Sequence, residues 1–212
     1  MSNLEKRQKV YDYLKRLGVE YTVTEHPAVF SIDEMKALKI NLKGDVCKNL
    51  FLRDSAGKRH FLVTMSNDKA APLKVLQQKL GTSRLSFASQ ERLAKYLDLA
   101  QGEVTPFGIL NDEGCEVEIV FDLALEGNPC LGVHPNDNTA TVWISFDDLC
   151  RSVDRHRHIK AALSVIHLPS IRHAVETLSG PSSEPSSPLH PCRTGLGINL
   201  HLEPALAHGQ YG

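Results

Sequence analysis

The sequence predicts a mixed α/β fold in which a largely antiparallel sheet carries helices packed against it. Three observations lead there. Apolar residues recur at helical spacing in some segments and alternate in others, so both element types are present. Several strand-like runs are joined by short turns, which suit antiparallel neighbours. Strands and helices also fail to alternate in the regular order of a doubly wound parallel sheet.

The elements follow in order. Leu4, Val10, Tyr13, Leu14 and Leu17 fall near one helical face over residues 4–17, and Gly18 stops that helix. Val19 to Val23 alternates as a strand does, and Glu25-His26-Pro27 reads as a turn. Ser31 and Glu34 have capping-box spacing, so a short helix is expected after Ser31. Asn49 to Arg53 and His60 to Met65 are apolar runs flanking Asp54-Ser55-Ala56-Gly57-Lys58, which makes a hairpin. Asp68 to Leu80 reads as a helix with Pro72 in its first turn and Gly81 at its end. Leu85 to Ala88 is a short strand, and Ser89 caps a helix over 90–97. Val104 to Leu110, Glu116 to Leu125 and Thr139 to Ser145 read as three further strands, and a last helix starts at Asp147.

Composition narrows the classes. The chain has 212 residues, 42% of them hydrophobic and 23% charged, an ordinary globular balance. A formal net charge of −1 gives no global field to recruit nucleic acid, so any RNA contact must be local. No apolar run of transmembrane length is present, and the first residues lack the apolar core of a secretion signal, which points to the cytoplasm. Five cysteines without a Cys-x-x-Cys pair fit a reduced protein with no zinc site or disulfide framework. The composition shifts near residue 154: seven of the ten histidines lie in the last 62 residues, beside the Ser/Pro-rich stretch 180–188. We therefore expect one domain over 1–153 and an atypical, partly disordered extension over 154–212.

Three segments could carry chemistry. In Leu131-Gly132-Val133-His134-Pro135-Asn136-Asp137-Asn138-Thr139, a Gly and a Pro bracket a His, so a stiff loop could aim an imidazole, amides and backbone N–H groups at a small polar ligand. The same residues also make an ordinary turn. Lys48-Asn49 opens an apolar strand, where an ammonium could grip a phosphate and an amide could orient a hydroxyl, or where the Lys is a solvated strand end. Thr105-Pro106-Phe107-Gly108 sits at a strand start, as a pocket wall with Gly108 leaving room for a ligand or as an edge turn. Lys43, Lys48, Arg53, Lys58, Arg59 and Lys69 form either a phosphate-binding rim or a scattered surface. Cys47, beside Lys48, reads as a packed core thiol in preference to a reactive one.

Five segments in order then become specific: His26-Pro27-Ala28-Val29-Phe30-Ser31, Cys47 to Asp54, Gly81 to Ser89, Val104 to Asp112, and His134-Pro135 with Asn138-Thr139-Ala140-Thr141. Together they resemble the YbaK/ProRS-associated family of trans-editing deacylases, in its ProX branch, from about residue 4 to about residue 150. The resemblance implies a mixed α/β editing domain that hydrolyses the ester of mischarged Ala-tRNA(Pro) without metal or organic cofactor. Its partner is then the acceptor end of tRNA(Pro), with prolyl-tRNA synthetase or an elongation factor as protein partners. Lys48 matches the family's lysine near the terminal nucleotide, and Asn49 follows it as in the family. His134 matches the histidine of a Gly-x-x-x-Pro-like loop lining the aminoacyl pocket. Gly132 to Pro135 is shorter than that pattern, so the loop backbone is the firmer inference. After about Cys150 the sequence departs from the family.

An aminoacyl ester is already activated, so a positioned water, backbone donors and the terminal ribose hydroxyl can suffice. Catalytic roles are expected at Lys48, His134 and Gly132. Substrate contacts are expected at Asn49, Thr105, Pro106, Phe107, Gly108, Val133, Pro135, Asn138 and Thr139. In this reading Lys48 anchors phosphate or ribose, the Gly132–Pro135 loop sets pocket size, and His134 orients more than it acts as a base. Two other readings stay open at this point: a non-catalytic tRNA-binding or synthetase-associated module, and a regulator with a small-ligand pocket.

Overall fold

The protein is described here by a computed structural model, which places residues 2–29, 32–70 and 73–156. Expectations for Phe30, the Ser31 cap, Pro72 and the 157–212 tail lie outside the described residues.

Helix α1 spans Asn3–Arg16. Its start is a capping box: the Ser2 hydroxyl accepts from the Glu5 N–H, and the Glu5 carboxylate accepts from the Ser2 N–H at 2.7 Å. Gly18 ends it in the left-handed region, at φ +64°. Val10 and Leu14 are its buried side chains, while Leu4 lies in solvent despite its apolar character. Strand β1 follows at Thr22–Glu25, later than the alternation at 19–23 suggests, and α2 occupies Ile32–Ala37. The hairpin is present as β2 (Asp45–Arg53) and β3 (His60–Ser66). Its turn is held by Asp54, whose carboxylate accepts from the N–H groups of Lys58 and Arg59, with Gly57 at φ +67°.

Helix α3 is Leu73–Lys79, shorter than the 68–80 expectation, because Asp68 bonds the Ser66 hydroxyl in a turn and Lys69 pairs with Asp122 at 2.8 Å. Strand β4 is Ser86–Phe87, and Ser89 caps α4, Gln90–Leu97. The 104–110 segment is not a strand: Pro106–Asn111 forms a 3₁₀ helix after an extended Thr105. Pro106 presets φ, and Pro106 to Leu110 are all buried, so the run has no exposed face to show its period. Strand β5 is Val117–Phe121 and ends before the 3₁₀ turn Leu123–Leu125. Leu131–Val133, expected as loop, is strand β6; β7 is Ala140–Ile144 and α5 is Phe146–His156.

The sheet runs β1-β7-β6-β2-β3-β5, with β4 also on β2. Four pairings are antiparallel; β2–β6 and β3–β5 are parallel, so the sheet is mixed as expected. One face packs against α1, α4 and α5 through Leu14, Leu97, Leu149, Phe121 and Val142. The other face packs Leu52, Phe61, Val63 and Val120 against Leu76 of α3. On that second face, near β6, Trp143 fills a smaller cluster with Val29 and Ile40. No helix among the described residues is long and apolar enough to cross a membrane. Cys47 and Cys150 carry free thiols, whereas Cys130 is disulfide-bonded, against the expectation of a chain without disulfides.

Candidate active site

The site grows from an interruption in the sheet. Along one edge of β2, β6 pairs with Asp45 and Val46, while β4 pairs with Leu52 and Arg53. Residues 47–51 between them have β3 on the other edge and no strand on this one among the described residues. The Asp45 N–H donates to Cys130 O at 3.1 Å and the Phe51 C=O accepts from Ala88 N–H at 2.9 Å, both on the open edge. Alternation along a strand then puts the backbone N–H and C=O of Asn49 on that edge too. A cavity of about 380 Å³ opens there, lined by Asn49, Leu50 and Phe51, by Phe87 to Gln90 and Leu93, and by Gln101, Gly102 and Val104.

The Asn49 side chain lies on the face of the main core. Its carboxamide oxygen accepts from the buried Thr64 hydroxyl at 2.8 Å, which fixes the amide plane and leaves the NH₂ to donate elsewhere. Lys48, one residue earlier, falls on the opposite face, and its ammonium donates to the carbonyls of Asn67 and Lys69.

The 131–139 and 105–108 segments form one wall. The Thr105 hydroxyl donates to His134 O at 2.5 Å, and the Asn136 amide donates to Phe107 O at 3.2 Å. Asn136 sits at φ +61°, and Asp137, fully buried, accepts from both the N–H and the hydroxyl of Thr139. Arg7 of α1 pairs with Asp137 at 3.1 Å, and Lys6 pairs with Glu103 at 3.0 Å, so α1 braces both stretches of this wall. Gly132 lies directly opposite Trp143, and a Cβ there would come within 2.8 Å of the indole. At Gly108 the near neighbours are Leu97 and Leu99, so the space is filled by core side chains and leaves no room for a ligand.

His134 is held against Gly102 by a backbone hydrogen bond, and its ring centroid lies 6.3 Å from that of His26. Burial first, then the neighbouring His26, push its pKa down to about 4, so the imidazole is neutral near pH 7. Such a group is a weak base but a good neutral wall or donor. The His26 ring is tied to the Thr141 hydroxyl at 2.9 Å. Burial pushes the Cys47 thiol up to about 12, which makes it a core residue and not a nucleophile.

Of the residues singled out from sequence, Asn49 lines the cavity directly. Thr105 and Phe107 are tied to the 134–136 segment, and His134 in turn to Gly102 of the cavity lining, whereas Gly132 packs against Trp143 on the other face and Gly108 against Leu97 and Leu99. Lys48 stands apart on the other face of β2. Phe87, Gln90, Gln101 and Gly102 were not singled out; an aromatic immediately before the Ser89 cap was the available signal at Phe87. Among the described residues no cluster of His, Cys and carboxylates is placed to hold a metal ion.

Residues 26–151 match the aminoacyl-tRNA editing domain family. The chain is 49% identical over 147 residues to "Prolyl-tRNA editing protein ProX" of Acetoanaerobium sticklandii, covering 69% of this chain and 90% of that one. It is 37% identical over 160 residues to "Prolyl-tRNA synthetase associated domain-containing protein 1" of Danio rerio, covering 74% and 86%. A solved structure described as a candidate trans-editing enzyme for prolyl tRNA synthetase shares the fold with a TM-score of 0.57 at 19% identity, covering 70% of this chain and 91% of that one. The mixed sheet with its unpaired edge at β2 and the two sequence matches lead to one conclusion: the chain belongs to the aminoacyl-tRNA editing domain family.

Proposed function

We propose that the protein is a trans-editing hydrolase that deacylates mischarged tRNA(Pro), with Ala-tRNA(Pro) as its substrate. The observation that carries the reading is the open edge of β2 at Asn49, facing a cavity in a chain of the editing family. An aminoacyl ester offers an α-amino donor and a carbonyl acceptor on the same residue. The Asn49 backbone C=O and N–H, with its side-chain NH₂, are complementary to that pair. As water attacks the ester carbon, negative charge gathers on the carbonyl oxygen, and fixed N–H donors stabilise it without reorganising. The tetrahedral carbon then collapses, the ester C–O bond breaks, and the ribose oxygen leaves with a proton relayed by its neighbouring hydroxyl.

Lys48 anchors phosphate or ribose on the other face. The end of β6 with neutral His134 and Pro135 supports the wall that limits acyl size. A prolyl site rejects a smaller side chain by only about 1–3 kcal/mol per methylene, so a second and smaller sieve is useful. The partner is the acceptor end of tRNA(Pro), delivered in the cytoplasm by prolyl-tRNA synthetase or an elongation factor. Residues 1–153 carry the activity and 154–212 are an appendage.

The test is release of free amino acid from Ala-, Cys- and Pro-tRNA(Pro). Alanine release with proline retained supports the reading; folded protein that releases no alanine above the uncatalysed rate removes it. Lys48→Ala with undiminished kcat/KM removes the role given to that side chain. A chain ending at Val153 that folds but loses activity removes the division at 153.

A further inference from the structure

Phe87 has no role in the reading above, yet it stands at the mouth of the same cavity. It is 60% exposed, and among the described residues it is the sole exposed Phe, Tyr or Trp. Its backbone is rigid: Phe87 pairs with Leu52, the next N–H is tied to Phe51 O at 2.9 Å, and Ser89 caps α4 immediately after. A large ring on a fixed backbone at a pocket mouth, uncovered, suits a flat ligand laid on it.

The register says what lies beside it. Residues directly opposite in a pair share a face, so Phe87 lies on the face of Leu52, Leu50 and Lys48. From Lys48 to Leu52 is four residues, about 13 Å at roughly 3.3 Å each. Along this face the order is therefore ammonium, Leu50, aromatic ring. The Asn49 backbone opens between them, at the gap through which the cavity reaches the other face.

We propose that Phe87 is the stacking platform for the 3′-terminal nucleobase of the acylated strand. The proposal rests on the deacylase reading and adds the subsite that holds the nucleoside. With the base on Phe87, the ribose lies over Leu50 and the phosphodiester runs toward Lys48. The acyl group turns through the gap to Asn49. An aromatic ring accepts any base face, so this contact supplies affinity and positioning, not base identity.

Two readouts test it on the full chain. The first is KM for Ala-tRNA(Pro) hydrolysis by the wild type and by Phe87→Ala, Phe87→Leu and Phe87→Tyr. Loss of one base–aromatic stack corresponds to about a 5- to 150-fold rise in KM. That rise is expected for Phe87→Ala and Phe87→Leu, falling in KM and not in kcat, with Phe87→Tyr near the wild type. The second is an acceptor-stem RNA hairpin carrying 2-aminopurine at its 3′ end, whose fluorescence stacking quenches. Wild type and Phe87→Tyr should quench it; Phe87→Ala and Phe87→Leu should not. Active wild type with Phe87→Ala unchanged in KM and in quenching overturns the platform and leaves the deacylase standing. Phe87→Leu at wild-type KM overturns it as well, since apolar area alone would then suffice. Wild type that releases no alanine overturns the deacylase reading and the platform together.

Discussion

Replacing Gly132 by alanine tests whether the β6 backbone is positioned by Trp143. The new Cβ would sit 2.8 Å from one indole carbon, and 3.1 Å from another and from the Thr141 methyl. Carbon atoms pack at about 3.5–4.0 Å, so the overlap is about 0.7 Å at the closest point. Neither side yields easily. The indole is 1% exposed, its N–H donates to the Thr24 hydroxyl at 2.9 Å, and Val29 and Ile40 lie in the same cluster. The β6 backbone is paired on both edges, with β2 and with β7. Overpacking of this kind costs about 1–3 kcal/mol. For a chain of this size that is a fall in Tm of about 2–12 °C, read by calorimetry or circular dichroism. Trp143→Phe removes the indole carbons that clash, so Gly132→Ala with Trp143→Phe should lose less than the sum of the single changes. A Gly132→Ala protein melting within about 1 °C of the wild type, or strict additivity in the double variant, would refute the argument.

Other outcomes follow from the same geometry. His134 has a folded pKa of about 4 against 6.5 when exposed, so the unfolded chain takes its proton first and stability falls as pH drops through that window. Between about pH 7 and pH 5 that amounts to about 2 kcal/mol, which His134→Gln should abolish in urea titrations; an unchanged acid slope would count against it. Arg7→Met leaves the buried Asp137 carboxylate unpaired and should cost about 3–5 kcal/mol in chemical denaturation, while Arg7→Met with Asp137→Asn should recover part of it. A native protein whose Cys47 reacts with an alkylating reagent at about pH 8 as fast as in urea would contradict its burial; protection until unfolding is expected.

Legibility in the sequence tracked how local the cause of each feature was. The α1 helix, the β2–β3 hairpin and α4 were readable because periodicity, a turn rich in Asp and Gly, and a Ser cap lie within each segment. Residues 106–111 misled because a run buried on all sides looks alike as strand or as 3₁₀ helix. The three-residue β6 was hidden in a Gly- and Pro-bearing stretch, and its place follows from pairing with β2, some 85 residues earlier in the chain. The site divided in the same way. Asn49, Thr105 and His134 stand in recognisable motifs and come together. Phe87 and Gly102 reach the cavity through tertiary placement, whereas the opposite facing of Lys48 and Asn49 follows from strand alternation and was legible once both were read as strand.

The unpaired edge of β2 also bears on edge-to-edge association between chains. A row of uncommitted peptide groups on a sheet edge invites a neighbouring chain to add a strand, the usual route to edge-to-edge aggregation. Here the row is stopped at one end by β6 and at the other by β4. A strand of ordinary length would collide with both before it could align. A guest no longer than a residue or two can enter, bond and depart. The fold thus keeps peptide groups ready for a small visitor while closing that edge to polymers.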